Sequence, residues 1–304
     1  MLRIATRGSA LALFQARWVA EHLGAAELVV VSTHGDREQG LPVGSIGGRG
    51  VFVKEVEQAV LDGHADLAVH SAKDLPANDP EGLVIAAVPT REDPRDVLVG
   101  ATLAQLGTGA VVATGSPRRR AQLSWLRSDL GFSDLRGNIG TRLERVPPGG
   151  AVVMAAAALR RLDLWDRASQ VLDPSLMIPQ AGQGCLALQC KSDDHATIAK
   201  LASVDHRDSH ASLIAERAFL SRLEAGCDTA AGALATVRAD GVEIQGVLAS
   251  ADGQMLARRS ARGTDPQRVG TALAEDFLTS CGGALFVGQG GYEEGIGPVL
   301  APQR

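Results

Sequence analysis

The sequence predicts an α/β protein in which two successive lobes are followed by a small α+β third domain with an antiparallel sheet. Its 304 residues exceed one ordinary core, so two or three domains are expected. Apolar runs alternate with helical patterns through the first two-thirds of the chain, and the alternation restarts near residue 109. After about residue 206, strand-like runs follow one another instead, which is typical of an antiparallel meander.

The first lobe begins with a strand and a helix that Ser9 caps. We expect Leu11, Phe14, Trp18 and Leu23 to share one face of that helix. A second strand leads to a glycine-rich loop, a helix stopped by Gly63 and two further strands. In order, these segments are LRIAT (2–6), the first helix (9–23), ELVVVST (27–33), the loop (40–50), the second helix (51–63), DLAVH (66–70) and LVIAAVP (83–89).

The second lobe repeats this arrangement. Ser116 and Pro117 are typical of an N-cap followed by proline at the first helical position. The segments are GAVVATG (109–115), a helix (117–130), DLRGN (134–138), a helix (139–146), the turn PPGG (147–150) and the buried strand AVVMAA (151–156). Two such halves imply sheets rich in parallel strands, with a ligand cleft between them.

The third domain starts with a long amphipathic helix, Ser209 to Glu224. Three strands separated by tight turns and a final helix from Asp265 to Thr279 complete it, and residues 288–304 are expected to be irregular. The strands are AGALATVRA (231–239), VEIQGVLAS (242–250) and QMLARRSAR (254–262).

Composition favours a soluble, cytoplasmic protein. Hydrophobic residues make up 45% and charged residues 21%, and the N-terminal segment does not resemble a secretion signal. Cysteine usage gives no disulfide or C-x-x-C pattern, so Cys185, Cys190 and Cys281 are expected to be small buried side chains. Cys227 differs, because it follows a glycine at the end of a long helical stretch.

The placement of arginine indicates an anionic small molecule. The net charge is −5, and only four of the 30 basic residues are lysine. A GC-rich coding sequence would explain that count, but not why five arginines lie beside glycines or at strand-to-helix junctions. Bidentate carboxylate binding suits the planar guanidinium better than it suits the lysine ammonium. These arginines are Arg7, Arg118, Arg119, Arg136 and Arg142.

Four junctions are expected to meet at the carboxyl ends of the strands and to form an anion site. They are residues 6–9, 70–74, 114–119 and 136–138. Asp74 is an acid among these bases. It could cap the turn before Pro76, or it could stabilise a cation that forms during a reaction. No metal site is expected, because His34, His64 and His70 lack the spacing of metal ligands.

The order of nine short segments resembles the porphobilinogen deaminase family over residues 4 to 227. The segments are IATRGSALAL, GGRGVFVKEVE, ADLAVHSAKDLP, REDPRD, ATGSPRR, LRGNIGTRL, ALRRL, AGQG and RLEAGC. The resemblance implies two lobes like those of type II periplasmic binding proteins and a third domain for cofactor attachment. It places the first lobe at 1–92 and 185–204, the second at 93–184 and the third domain at 205–304.

The resemblance also implies the activity. The family joins four porphobilinogen molecules head to tail into hydroxymethylbilane and releases ammonia each time. Chain growth starts on one dipyrromethane cofactor per chain, held by a thioether to the residue that corresponds to Cys227. Asp74 corresponds to the catalytic carboxylate. Cofactor contacts are implied for Ser71, Lys73, Thr114, Ser116, Arg118, Arg119, Arg136 and Gly137, and substrate contacts for Arg7, Ser9, Lys54, Arg142, Arg161 and Gln183.

The expected partners are small molecules, with neither nucleic acid nor membrane. A monomer is expected, with its product passed to uroporphyrinogen-III synthase, and the loop 40–50 is expected to act as a lid. The sequence departs from the family pattern at Ala72, Arg49, Gly115 and Pro117, and no proline follows Cys227.

Two alternatives belong to other classes of protein. One is a non-catalytic, periplasmic-binding-like module for a small dicarboxylate. It leaves the third domain without a purpose, and the chain shows neither a secretion signal nor a DNA-binding segment. The other is a metal-dependent transferase, which would need a cluster of His and Asp ligands.

Overall fold

Three sheets organise the chain in the computed structural model, which describes residues 1–33, 53–225, 229–250 and 253–280. Lobe 1 contains a five-stranded sheet of order β2-β1-β3-β10-β4, and lobe 2 a five-stranded sheet of order β7-β6-β8-β5-β9. The third domain contains the antiparallel sheet β11-β12-β13. The predicted fold class, two α/β lobes and a small α+β domain, is confirmed. The predicted domain boundaries themselves stay a prediction.

The strands are β1 (Leu2–Arg7), β2 (Ala26–Val31), β3 (Leu67–Ser71), β4 (Leu83–Ala87), β5 (Asp96–Val99), β6 (Val111–Ala113), β7 (Gly131–Ser133), β8 (Ala151–Ala155), β9 (Gln170–Leu172), β10 (Leu186–Lys191), β11 (Ala230–Arg238), β12 (Gly241–Ala249) and β13 (Leu256–Gly263). The α-helices are α1 (Ala10–His22), α2 (Lys54–Leu61), α3 (Pro117–Leu126), α4 (Ile139–Leu143), α5 (Ala156–Arg161), α6 (His195–Leu201), α7 (Arg207–Arg222) and α8 (Pro266–Ser280). None of these helices is long and apolar enough to cross a bilayer.

Each large sheet mixes parallel and antiparallel pairs, so the expectation of parallel-rich sheets holds for only part of each. In lobe 1, β1 is parallel to β2 and β3, whereas β10 is antiparallel to β3 and β4. In lobe 2, β6 is parallel to β7 and β8, whereas β5 is antiparallel to β8 and β9. The reversed strands, β5 and β10, are the first strands that the chain enters after passing from one lobe to the other.

The buried face of α1 agrees with the prediction only in part, because Trp18 and Leu23 pack against the core of lobe 1 whereas Phe14 does not. Ser9 caps the helix as expected, accepting a hydrogen bond from the Ala12 amide (3.3 Å). The buried residues are Gln15, Ala16 and Val19, whereas Phe14 is 39% exposed. Small side chains allow the helix to lie close to the sheet. Gln15 is satisfied there because its amide donates to the Ser71 hydroxyl (2.9 Å).

Two chain segments join the lobes, residues 88–95 and 173–185, which we call crossings. They lie side by side: the Glu92 amide donates to the Gly184 carbonyl (3.2 Å) and Arg91 Nε to the Gln183 carbonyl (2.9 Å). Gly184 has φ +90°, and a Cβ at this position would collide with the Glu92 carbonyl oxygen. Glycine is therefore required where the crossings touch.

A single buried carboxylate attaches the third domain to both crossings. Glu216 on α7 is 0% exposed and pairs with Arg91 (Nη1–Oε1 2.6 Å) in the first crossing. It also accepts hydrogen bonds from the amides of Gly182 (2.6 Å), in the second crossing, and of Ala235 (2.7 Å), on β11. Because Glu216 is fully buried and its contacts are charge-assisted, α7 is held firmly at the junction of the lobes.

Candidate active site

The junctions predicted from the sequence lie at the ends of strands in both lobes. In lobe 1, Arg7 ends β1 and Ser71 ends β3, which continues into a 3₁₀ turn, Ala72–Asp74. In lobe 2, Ser116 caps α3 by accepting from the Arg119 amide (3.4 Å), and Asn138 caps α4 by accepting from the Thr141 amide (2.9 Å). The caps orient both helix N-termini at the predicted anion-binding segments.

Lys73 lies where lobe 1, lobe 2 and a crossing meet. Its Nζ donates to Gln183 Oε1 (3.3 Å), and its carbonyl accepts from the Gln180 side chain (3.0 Å). Burial and the nearby Arg119 guanidinium lower the pKa of Lys73 to about 8, although Asp74 and Asp96 act in the opposite direction. The amine can therefore exchange a proton near neutral pH.

Asp74 is exposed on the same turn and stands among cations of both lobes. Its carboxylate favours the charged forms of Lys73 in lobe 1 and Arg142 in lobe 2. The turn itself is closed by the main chain, since the Leu75 amide donates to the Ala72 carbonyl (3.2 Å). This bond makes a capping role for the Asp74 side chain unnecessary, which favours the reading as a stabiliser of positive charge.

Arg118 and Arg119 are buried around Asp96, a residue to which the sequence analysis gave no role. They are 3% and 7% exposed, and Asp96 is 0% exposed. Arg118 Nη2 lies 2.9 Å from Asp96 Oδ2, and Arg119 Nη2 lies 2.7 Å from Oδ1. Burial disfavours the charged carboxylate, but the two arginines outweigh it and hold the pKa of Asp96 well below its usual range.

Gln183 links this ion cluster to Lys73. It is completely buried, and its Nε2 donates to Asp96 Oδ1 (3.0 Å) and to the Pro94 carbonyl (2.7 Å). Its Oε1 accepts from Lys73. The amide thus connects a carboxylate at the start of lobe 2 with a lysine at the end of β3 in lobe 1.

The other predicted residues surround this centre to different degrees. Arg142 donates from Nε to the Gly137 carbonyl (2.7 Å), and Gly137 adopts φ +107° against Thr141. Arg161 donates to the Gly184 carbonyl (2.7 Å) at the crossings. Thr114 is buried and accepts from the Ser116 amide (3.2 Å), Ser9 remains an N-cap, Arg136 is partly buried, and Lys54 is exposed at the start of α2.

Cys227 and the glycine-rich loop 40–50 lie outside the described residues, as do His34 and Arg49. Two other cysteines are described. Cys185 and Cys190 are almost fully buried in or beside β10, as predicted, and burial raises the pKa of each thiol to about 11. Neither is a reactive thiolate at neutral pH.

Comparison with known families accounts for most of the chain. Residues 2–199 match the family described as porphobilinogen deaminase, dipyrromethane cofactor binding domain, and residues 211–279 match its C-terminal domain. The chain belongs to the porphobilinogen deaminase family. This assignment disfavours the alternative of a non-catalytic dicarboxylate-binding module.

Curated relatives align over nearly their whole length. Porphobilinogen deaminase of Trichlorobacter lovleyi is 43% identical over 297 residues, covering 94% of this chain and 95% of its own. That of Brevibacillus brevis is 41% identical and covers 93% and 96%, and that of Roseiflexus castenholzii is 43% identical and covers 94% and 99%.

Solved structures with distant similarity include periplasmic proteins. A TRAP periplasmic solute binding protein from Desulfovibrio salexigens aligns with 67% of this chain and 72% of its own at 12% identity, with a TM-score of 0.39. The BvgS periplasmic VFT2 domain of Bordetella pertussis aligns with 67% and 86% at 16% identity, with a TM-score of 0.37.

The residues present suit the dipyrromethane group that this deaminase family carries. Such a group bears several carboxylates, and the described site offers Lys73, Arg119 and Arg142 on neighbouring elements. Arg118 adds a buried Nε with no hydrogen-bond partner among the described atoms, a donor that a carboxylate could satisfy. The donor set therefore fits a polycarboxylate.

Replacing Arg119 with leucine should lower both stability and cofactor content. Arg119 is one of the two buried arginines that pair with Asp96. Loss of its charged hydrogen bonds should cost about 1.5–3 kcal/mol of unfolding free energy. Arg119→Lys should restore only part, because lysine lacks the planar fork. Urea unfolding and intact mass measure the two effects.

Arg120→Leu is the matched control for this prediction. Arg120 is the next residue of α3 and pairs with the exposed Asp134 (3.0 Å), so its loss should cost at most about 1 kcal/mol and leave the cofactor in place. Equal stability and equal cofactor content in the two leucine variants would show that Arg119 contributes no more to either property than an exposed arginine does.

Proposed function

We propose that this protein is a porphobilinogen deaminase that joins four porphobilinogen molecules head to tail into hydroxymethylbilane, with release of one ammonia per molecule. The observation that carries the proposal is an exposed carboxylate, Asp74, set among Lys73 and Arg142 of facing lobes. The side chains of Lys73 and Arg142 can bind the carboxylates of the substrate, and the Asp74 carboxylate can stabilise the positive charge that the substrate acquires when ammonia leaves.

Substrate binding follows from the charges. Porphobilinogen carries an acetate and a propionate side chain, each of which a guanidinium can bind through two parallel hydrogen bonds. Arg7 and Arg136 lie just before the N-termini of α1 and α4, where main-chain amides add further donors, and Arg142 lies in the last turn of α4. Arg118 and Arg119 keep N–H groups beyond those that they give to Asp96.

Cofactor attachment is proposed at Cys227, with one dipyrromethane per chain. When bound, this group supplies a free pyrrole α-carbon to which the first substrate is joined. Ser71, Lys73, Thr114, Ser116, Arg118, Arg119, Arg136 and Gly137 are the residues proposed to hold it. Arg7, Ser9, Lys54, Arg142, Arg161 and Gln183 are proposed for the substrate.

Asp74 is proposed to stabilise positive charge on the substrate. Loss of ammonia from the aminomethyl group leaves a cation that the pyrrole nitrogen shares. A carboxylate close to that nitrogen lowers the energy of the cation and of the transition state that leads to it. Because Asp74 is exposed and ionised groups on both lobes surround it, it can act at each addition without becoming a covalent partner.

The proposal extends to the setting of the enzyme. We propose a cytoplasmic monomer whose linear product passes to uroporphyrinogen-III synthase. Size-exclusion chromatography with light scattering measures the oligomeric state, and a dimer at micromolar concentration would contradict the proposed monomer.

Incubation of the purified protein with porphobilinogen tests the function. Ammonia release should equal porphobilinogen consumption, with one hydroxymethylbilane formed for every four substrates consumed. The isolated protein should also be heavier than its sequence by one dipyrromethane. Binding of porphobilinogen without ammonia release would favour the dicarboxylate-binding alternative and contradict the enzyme.

A further inference from the structure

Asp96 lies where three of the predicted site residues converge. It is the first residue of β5, directly after the first crossing, and it is 0% exposed. Two guanidinium groups and one amide converge on its two oxygens, from Arg118, Arg119 and Gln183. It is the anion of a buried cluster in which the other charged members are cations.

The contacts of Asp96 fix the direction of both arginines. Arg119 donates from Nε (3.1 Å) and Nη2 (2.7 Å) to Asp96 Oδ1, and from Nη1 to the Val153 carbonyl (2.9 Å). Arg118 contacts Asp96 through Nη2 and donates from Nη1 to the Ile178 carbonyl (2.6 Å). Each planar group is held at two points, so its remaining N–H groups have a defined direction.

The influence of Asp96 reaches lobe 1 through Gln183. The Gln183 amide donates to Asp96 Oδ1 and to the Pro94 carbonyl and accepts from Lys73, so these two acceptors together set its orientation. Without the charge on Asp96, only the neutral Pro94 carbonyl would be left as a full-strength acceptor for Nε2, and the hold on the amide that presents Oε1 to the lysine would be weaker. A change in the charge of Asp96, at the start of lobe 2, would thus alter the hydrogen bond to Lys73, just after β3.

We propose that Asp96 is a positioning residue for the reaction. It orients Arg118 and Arg119 directly and Lys73 through Gln183, so that these three cations can bind the carboxylates of cofactor and substrate. That the oriented cations bind carboxylates of cofactor and substrate rests on the proposed function. The orientation of Lys73 does not, because it follows from contacts within the chain.

The charge of Lys73 provides a readout that a purely structural role would not move. The charged groups that face it are Asp74 on its own turn, Arg119 on α3, Arg142 on α4 and Asp96 on β5. The arginines lower the pKa of Lys73, whereas the two carboxylates raise it. Removal of the Asp96 charge should therefore shift the pKa of Lys73 below about 8.

Asp96→Asn tests this in the holoenzyme, with acetic anhydride labelling of lysine followed by peptide mass spectrometry over a pH series. The chain has only Lys54, Lys73, Lys191 and Lys200, so each can be followed separately. The midpoint of Lys73 labelling should move to lower pH, while Lys191 and Lys200 stay unchanged. At equal cofactor content, the KM for porphobilinogen should rise about tenfold, the size of one charged hydrogen bond.

Asp129→Asn is the matched control. Asp129 also pairs with an arginine of lobe 2 through both oxygens (Arg127 Nε–Oδ1 2.7 Å, Nη2–Oδ2 2.7 Å), but this pair is about one-third exposed. The Lys73 midpoint and the KM should keep their wild-type values in this variant. A lower melting temperature for Asp96→Asn with an unchanged Lys73 midpoint and KM would overturn the proposal.

Gln183→Met is the second test of the positioning role, for the case in which Asp96→Asn does not fold. This variant leaves Asp96 with both arginines and removes the side-chain hydrogen bonds of Gln183 to Asp96, to the Pro94 carbonyl and to Lys73, so the Lys73 midpoint should fall and the KM should rise. Wild-type values of both would overturn the proposal. If the wild-type protein releases no ammonia from porphobilinogen, the proposed function fails, and the labelling series still decides whether Asp96 controls Lys73.

Discussion

Replacing Cys227 with serine should give a protein that carries no dipyrromethane and turns over no porphobilinogen. Thioether formation needs the soft, nucleophilic sulfur, and a serine hydroxyl is a far weaker nucleophile at neutral pH. Intact mass should equal the sequence mass for the variant and exceed it by one dipyrromethane for the wild type. Turnover should fall below detection, since chain growth has no starting point.

Cys190→Ala is the control for this experiment. Cys190 is fully buried in β10, and burial raises the pKa of its thiol to about 11, so it should not form the thioether. The alanine variant should keep the added mass and the activity. A Cys227→Ser protein that retains the addition would show that the attachment site lies elsewhere.

Replacing Asp74 with asparagine should lower turnover by roughly three orders of magnitude. A carboxylate about 4 Å from a unit positive charge contributes about 4 kcal/mol at an effective dielectric constant near 20. At about 1.4 kcal/mol for each tenfold in rate, this sets the expected loss. Asp74→Glu keeps the charge and displaces it by one methylene, so it should retain more activity than asparagine. Single-turnover rates on cofactor-loaded protein measure both.

Melting temperature separates this role from a structural one. Asp74 is exposed and a main-chain bond closes its turn, so neither variant should melt at a much lower temperature than the wild type. Asp193→Asn is the control, because Asp193 is exposed just beyond the end of β10 that lies farthest from Ser71. A near wild-type rate for Asp74→Asn, with stability lost instead, would remove Asp74 from the catalytic residues.

The longer elements of the fold were predictable because their own residues specify them. Period-two and apolar runs predicted β1, β3 and the three strands of the third domain, and Ser116-Pro117 predicted the start of α3. The short strands β5, β7 and β9 have only three or four residues, too few for a period to show. Their pairing depends on partners far along the chain, which local pattern does not report.

The residues of the site were predictable where their local position in the sequence shows their chemistry, and not where contacts far along the chain determine it. Strand-to-helix junctions identified Lys73, Asp74 and the arginines, because their chemistry and local position are visible in the sequence. Asp96 was missed because its role depends on contacts with Gln183, 87 residues away, and with Arg119, 23 residues away, which a local sequence pattern does not show. For the same reason the burial of Arg118 and Arg119 was not foreseen, since an arginine is ordinarily a surface residue.

Because the two segments that join the lobes lie side by side, a rotation of one lobe relative to the other would have its axis near the crossings. When two rigid bodies rotate about a common line, atoms on that line stay still and the others move in proportion to their distance from it. Glu216 binds both crossings at that line, and α7, which bears it, ends at Arg222, five positions before Cys227. During such a rotation α7 would therefore stay nearly fixed, whereas the parts of the lobes farthest from the crossings would move most.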